Sequence, residues 1–270
     1  MSSGLQEPLA PVRRIAVIVD AGEQSPRVIG LAAGIAAALK AELEGVFVED
    51  AGLLGAIGLP FQREFRLTTR GEEIPDVLRL QRELRAAARR VRAVLEQSAQ
   101  RLGCSWSFRV WRGDLEGEIF SAAHSAEMLA LAPLGRFAPL RQTARWVSQH
   151  PADQTFVVSV LCDGAAGSLR ALEAARELAS QRRGQLQVFL QAADGAALEG
   201  LRSQVREALG QAADDARLLP LAVVDPAGIF ATIVANAGDV LVIDDGNPLL
   251  GRDTLWQSLV ALHCPMLVVR

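Results

Sequence analysis

Cysteine is scarce. Cys104, Cys162 and Cys264 are the only three, far apart and odd in number. They show no metal or redox spacing, which suits a reducing compartment and leads us to expect the cytoplasm. Long apolar runs are missing too. The longest, Leu31–Leu39, is too short to cross a bilayer and reads as a buried helix face. Met1–Arg14 has no apolar core, so no signal peptide is expected there. The net charge is only −3, which gives no general pull toward nucleic acid or anionic membrane. Neither His124, His150 nor His263 has a His, Cys or carboxylate partner at metal spacing. No Ser, Cys or His stands in a nucleophile arrangement, so no enzymatic activity is expected. What the chain has is apolar mass. Half of its 270 residues are hydrophobic, enough for proper cores and for two domains of ordinary size.

The chain also contains itself twice. Shifted by 143 positions, Ile15–Val48 falls on Val158–Gln191 without a gap, so that Asp20 meets Asp163 and Ser25 meets Ser168. Shifted by 110, Leu140–Val158 falls on Leu250–Val268, so that Trp146 meets Trp256. The two shifts differ by 33, so the second copy lacks about that many residues between these blocks. The expected domains are 12–154 and 155–270, a tandem repeat.

Each copy alternates strands and helices. Arg14–Asp20 is an apolar β-branched run, as in a strand buried on both faces. Ser25 and Pro26 open a helix to about Lys40, with Ser25 as N-cap. Glu44–Val48 is the next strand, and Asp50–Ile74 a long loop with a short helical piece near Leu53–Ile57. Helix Pro75–Leu102, strand Ser105–Trp111, helix Leu115–Ser125, strand Met128–Ala132, helix Arg141–Gln149 and strand Phe156–Cys162 follow. The second copy has helix Gly167–Gln181, strand Gln185–Leu190, helix Ala196–Ala212, strand Leu218–Val224 and helix Ala227–Asn236. Strand Val240–Ile243, helix Thr254–Leu262 and strand Met266–Val269 complete it. Such alternation predicts α/β folding, with parallel sheets and right-handed crossovers.

The strand-then-Asp openings Ile15–Asp20 and Val158–Gly164 resemble the universal stress protein family, here as a tandem. So do Gly45–Asp50, Gly113–Phe120 and Cys264–Val269, and together the likeness spans nearly the whole chain. It implies two Rossmann-like, adenine-nucleotide-alpha-hydrolase-like domains. Each is an open parallel sheet in order 3-2-1-4-5 with helices on both faces, and ligands sit at the switch point beyond the strands' carboxyl ends. A stress or regulatory role is likewise implied by the resemblance alone. In ATP-binding members the Asp after the first strand lies by the adenosine. A loop of Gly-x-x-Gly, nine residues, then Gly-Ser or Gly-Thr cradles the phosphates.

The candidate pocket residues are therefore Asp20, Val48 and Gly135 in the first copy, and Asp163, Gly246 and Gly251 in the second. Neither copy has the phosphate pattern. Gly135 has no second glycine in register. Gly246 and Gly251 are followed only by Ser258, and Pro248 lacks an N–H. ATP or AMP is accordingly disfavoured, and no cofactor is expected. The missing loop weighs toward turn chemistry for Asp20 and Asp163. Arg136, Arg141 and Arg252 read as ordinary surface arginines. Trp146 and Trp256 read as core or inter-domain packing. Arg82, Arg85, Arg89 and Arg92 form a basic row, either a solvated face or a site for an acidic partner or anionic lipid. Leu53, Leu54, Ile57, Leu59 and Phe61 either cap the first copy's cleft or dock a partner.

Two functions remain open. One is a non-catalytic regulatory interaction protein with a protein partner and a domain–domain pseudo-dimer, with a homodimer left open. The other is a nucleotide or small-ligand sensor with a modified pocket. One strand is claimed twice, since residues 155–162 match both the fifth strand of copy 1 and the first strand of copy 2. A first strand in this order uses both edges, so copy 2 is expected to keep it. Copy 1 then has four strands, and Met128–Ala132 needs cover from another segment, the other copy or a second chain.

Overall fold

The structure, a computed structural model, describes residues 12–19, 25–50, 64–65, 72–73, 77–113, 126–131, 155–221, 226–251, 262 and 264–270. Its main strands are β1 (Arg14–Val19), β2 (Glu42–Asp50), β5 (Trp106–Gly113), β6 (Met128–Leu131), β7 (Val157–Cys162), β8 (Gln185–Gln191), β9 (Arg217–Leu221), β10 (Val240–Asp244) and β11 (Met266–Val269). They form one nine-stranded sheet in the order β5-β2-β1-β6-β11-β10-β7-β8-β9. The two-residue strands β3 (Glu64–Phe65) and β4 (Glu72–Glu73) pair antiparallel, inside a stretch expected to be loop.

The helices are α1 (Ser25–Leu39), α2 (Val77–Leu102), α3 (Ala166–Arg182), α4 (Gly195–Leu209) and α5 (Pro226–Asn236). Residues alternate along each strand between two buried clusters. One cluster joins the sheet to α1, α2, α3 and α4, the other to α5. The expected α/β fold with helices on both faces is thus present. Helix α1 starts at Ser25 itself rather than after it.

The strands in the middle of the sheet are fully apolar and buried, because both faces are covered. β6, β10 and β11 have every residue buried. The terminal strands β5 and β9 are instead mostly half-buried or exposed, with only Leu221 buried. This is the contrast expected between two-sided and edge positions.

The pairing registers repeat. Arg14 lies opposite Glu42, and Val157, 143 positions on, lies opposite Gln185, also 143 on. Ser107 lies opposite Glu44, while Arg217, only 110 positions beyond Ser107, lies opposite Gln187. The missing residues therefore fall between the second and third strands of the second half, as the sequence implied. They shorten the helix there, since α2 has 26 residues and α4 has 15. The two halves share an anchor as well. The carboxylate of Glu127 accepts the Arg14 N–H at 2.9 Å, and that of Asp239 accepts the Val157 N–H at 2.8 Å.

The twice-claimed strand goes to the second half. β7 lies between β8 and β10, and the second half reads β9-β8-β7-β10-β11, the 3-2-1-4-5 order. The first half reads β5-β2-β1-β6 among the described residues. Its exposed edge is covered by the other half, because β11 pairs antiparallel with β6 along all four residues while lying parallel to β10. The carboxyl ends of the two halves therefore point in opposite directions. The expected helices at 115–125, 141–149 and 254–262 lie outside the described residues, apart from Leu262, and so does most of the loop 50–74.

Close approaches fix two positions. A Cβ on Gly45 would meet Leu95 Cδ2 of α2 at 2.8 Å, so glycine lets the long helix settle on β2. On the other face, Ser159 Oγ accepts the Gly238 N–H at 2.9 Å, and the Gln187 amide donates to the Asn236 carbonyl at 2.7 Å. These bonds satisfy buried polar groups at the end of α5.

Leu267 faces both neighbours of β11, opposite Ala130 and Val242, and is 1 % exposed. Leu267→Ala should cost about 2–5 kcal/mol. Hydrogen exchange should then show protection falling at β6 as well as β10. Loss confined to β10 would mean that the joint does not couple the halves.

Candidate functional site

The second half presents the complete switch point, between the carboxyl ends of β7 and β10. Three segments meet there: Cys162–Gly164 after β7, the first turn of α3, and Asp244–Gly251 after β10. Asp163 is exposed, and its Oδ1 accepts the Ala165 N–H at 2.9 Å. This is an Asx turn that steers the chain into α3, the turn chemistry expected of it. Gly164 follows with φ +87°, a conformation that favours glycine. The buried Ser168 Oγ accepts the Asp163 N–H at 3.3 Å and donates to the Ala165 carbonyl at 3.0 Å.

Asp244 ends β10 and is buried. Its Oδ2 would lie 2.9 Å from a Cβ on Gly167, so that glycine makes room for the carboxylate beside the first turn of α3. Oδ1 is buried without a hydrogen-bond partner, as is Nδ2 of the buried Asn247. Burial first, and the negative charge of Asp163 next, push the Asp244 pKa above the usual carboxylate range. N–H groups of Asp244 and Gly246 oppose that shift.

The backbone of this loop is already spoken for. The Asp245 N–H donates to the Val269 carbonyl at 2.9 Å, and the Asn247 N–H to the Asp244 carbonyl at 3.2 Å. Leu249 N–H donates to Asn247 Oδ1 at 3.0 Å, Leu250 N–H to the Asn247 carbonyl at 2.9 Å, and Gly251 N–H to the Pro248 carbonyl at 3.1 Å. Pro248 has no N–H, and it opens the 3₁₀ turn Pro248–Leu250 that Asn247 caps. The N–H groups of Asp245, Asn247, Leu249, Leu250 and Gly251 are thus all used within the protein. Gly246 and Gly251 are exposed and neither has positive φ, so neither glycine builds a cradle.

In the first half, Val48 is 2 % exposed and packs in the cluster on the α5 face of the sheet, so it acts as core. Asp20 and Gly135 lie outside the described residues. So do His124, His150, His263, Trp146, Trp256, Arg136, Arg141, Arg252 and the apolar stretch from Leu53 to Phe61. Arg82, Arg85, Arg89 and Arg92 do share the exposed side of α2.

Burial disfavours the thiolate form of all three cysteines. Burial raises the pKa of Cys104 and Cys162, and that of the almost fully buried Cys264 is pushed up to about 12. Among the described residues, no group of three or more His, Cys, Asp or Glu is placed to hold a metal ion. No helix among them is long and apolar enough to cross a membrane.

Sequence reasoning missed Asp244 and the buried charges of β2. The signal for Asp244 was present, since VLVID repeats the run-then-Asp form of both first strands. Glu44 is 7 % exposed and bonded by Arg109 Nε at 2.6 Å, and Glu49, 5 % exposed, is paired with Arg112. Those partners come from β5, more than 60 residues away.

No family model matches the chain, and no curated protein does. Solved structures do match. The chain is similar to a universal stress protein from Archaeoglobus fulgidus DSM 4304, with 14 % identity, 95 % of this chain and 96 % of that one covered, and a TM-score of 0.57. It is also similar to the cytoplasmic domain of a prokaryotic cation chloride cotransporter, with 10 % identity, 95 % of each chain covered, and a TM-score of 0.51. The likeness is one of fold: the chain has the α/β fold of the universal stress proteins.

The raised Asp244 pKa has a sign. The folded chain holds this proton more tightly than the unfolded one. The resulting stabilisation is complete below the ordinary Asp pKa and is lost as pH rises through the raised value. Asp244→Asn should thus melt higher than the natural chain at neutral pH, with the gain shrinking toward about pH 3. Melting curves across that range decide it, and a difference independent of pH would remove Asp244 as the titrating group.

Proposed function

We propose that this protein acts by binding and not by catalysis, as a regulatory interaction module of the universal stress type, without tight ATP binding. The observation that carries this reading is the closed backbone of the loop 245–251. A phosphate cradle needs several free N–H groups converging on one anion. Here the N–H groups of Asp245, Asn247, Leu249, Leu250 and Gly251 are all bonded within the protein, and Pro248 has none. Asp163, Asp244 and Asp245 add negative charge where a polyphosphate would sit.

The raised pKa values of the three thiols suit a non-catalytic role. The fold also serves as the cytoplasmic domain of a cotransporter, a setting in which such a module is attached to other machinery. The stress-response role, the cytoplasmic location and the protein partner belong to the same proposal. A second reading rests on the unpartnered Asp244 Oδ1 and Asn247 Nδ2, which suit a small polar ligand without phosphate. Mass spectrometry of molecules carried through purification tests for one.

Titration calorimetry with ATP, ADP and AMP tests the main reading. No binding is expected with a Kd below about 10 μM, roughly 7 kcal/mol. ATP binding tighter than that, and weakened by Asp20→Ala, would overturn it in favour of nucleotide sensing.

A further inference from the structure

We infer that the outer edge of β5, with the arginine row of α2 above it, is a docking site for an acidic peptide segment that adds to the sheet as a tenth strand. This inference rests on the interaction-module reading and names its surface and the chemistry of its partner.

The two ends of the sheet are built differently. β9 closes one end with five residues and carries Pro220, which cannot donate to a ladder and so blunts that edge. β5 closes the other with eight residues and no proline. Among the described residues nothing pairs with its outer side. Val110 on this strand is 46 % exposed, unusual for a large apolar residue here.

Beside that edge lies a groove of about 470 Å³ between β5 and α2. Its floor is Ala88, Phe108 and Val110, and its rim is Arg85, Arg89 and Arg92. Four other arginines on this half have a carboxylate partner: Arg14 with Glu42, Arg79 with Glu83, Arg109 with Glu44 and Arg112 with Glu49. The three rim arginines have no carboxylate partner among the described residues. Arg92 lies over the Trp106 ring at 5.9 Å, and Arg89 Nε donates to the Arg85 carbonyl at 3.3 Å. Glu49, also lining the groove, is engaged by Arg112.

Phe108 and Val110 lie two residues apart and point to the helix-covered face. A strand added beside β5 would place its alternate side chains over the same groove. Carboxylates at those positions would meet the guanidinium groups, and the apolar stems would cover Val110. A second copy fits poorly, since edge-to-edge pairing would bring two arginine rows together. An anionic lipid surface has no use for an open strand edge beside a narrow groove. The charge and the edge together select an extended acidic peptide.

The test uses the full chain and a fluorescein-labelled ten-residue peptide with Glu at alternate positions and Thr or Val between them. Fluorescence anisotropy should show binding that weakens with salt. Its Lys-for-Glu counterpart should not bind. Arg85→Gln, Arg89→Gln and Arg92→Gln combined should weaken binding at least tenfold with an unchanged melting temperature, because all three are exposed. A Glu peptide N-methylated at alternate residues keeps its charge and cannot complete the ladder, so it should also bind at least tenfold more weakly. No binding by the natural chain overturns the inference, as does equal binding by the triple variant or by the N-methylated peptide. So does capture by phosphatidylserine vesicles without capture of the peptide, or a dimer in sedimentation that Val110→Pro abolishes. Calorimetry with ATP reports on the carboxyl ends of the strands and not on the β5 edge, so failure here leaves the ATP result standing, and the reverse holds.

Discussion

The structure depends on one four-residue strand having two usable edges. β11 completes the parallel sheet of the second half through β10 and covers β6 of the first half in the antiparallel sense. Without it, β6 would present Met128–Leu131, apolar and buried on both faces, as an open edge in the middle of the molecule. Unpaired backbone in such surroundings is costly. The antiparallel join has a geometric consequence. The carboxyl ends of the two halves face opposite ways, so their switch points cannot combine into one bipartite pocket. Whatever the second half binds between β7 and β10, it binds with its own residues. Arg270 extends the same joint, its N–H donating to the Glu127 carbonyl at 3.0 Å beside the anchor of β1.

Much of this was legible in the sequence because the repeat carries register as well as fold. Two shifts that differ by 33 locate a deletion, and the pairing of Ser107 and Arg217 puts it between the second and third strands. The counting of strand edges also held: a first strand between two neighbours cannot serve a second sheet. Local pattern failed where partners are distant. β2 runs from Glu42 to Asp50, where the sequence pattern supported only Glu44–Val48. Those charges are tolerated because β1 and β5 bring Arg14, Ser107, Arg109 and Arg112 against them. No window of sequence contains both members of such a pair. The identity of the strand covering β6 was equally hidden, since several segments would have satisfied its ladder.

The candidate pocket shows a related limit. Glycines at 246 and 251 suggested a degraded phosphate loop, and the sequence alone cannot tell a degraded cradle from a closed one. The difference lies in where each N–H points. Asn247 decides it, by capping the 3₁₀ turn with its side chain while its carbonyl takes the Leu250 N–H. Pro248 then fits at the start of the turn, where a missing donor costs nothing. The loop is a well-satisfied structural turn in its own right, and the carboxylate of Asp244 lies beside the first turn of α3, the usual place for an anion.

The two copies have diverged in opposite directions. The second lost residues, kept all five strands and ended its sheet on a proline-bearing edge under a 15-residue helix. The first kept a 26-residue helix and has four strands in the sheet among the described residues. Gly45 lets that helix press onto β2 through Leu95, which leaves the outer part of β5 uncovered along the groove. The 33-residue difference accompanies both asymmetries: a half with the shorter helix that closes the joint, and a half with the longer helix whose outer edge is unpaired among the described residues. A duplication held in this lopsided form divides the work, one copy supplying the shared strand and the other a surface with charge to spare.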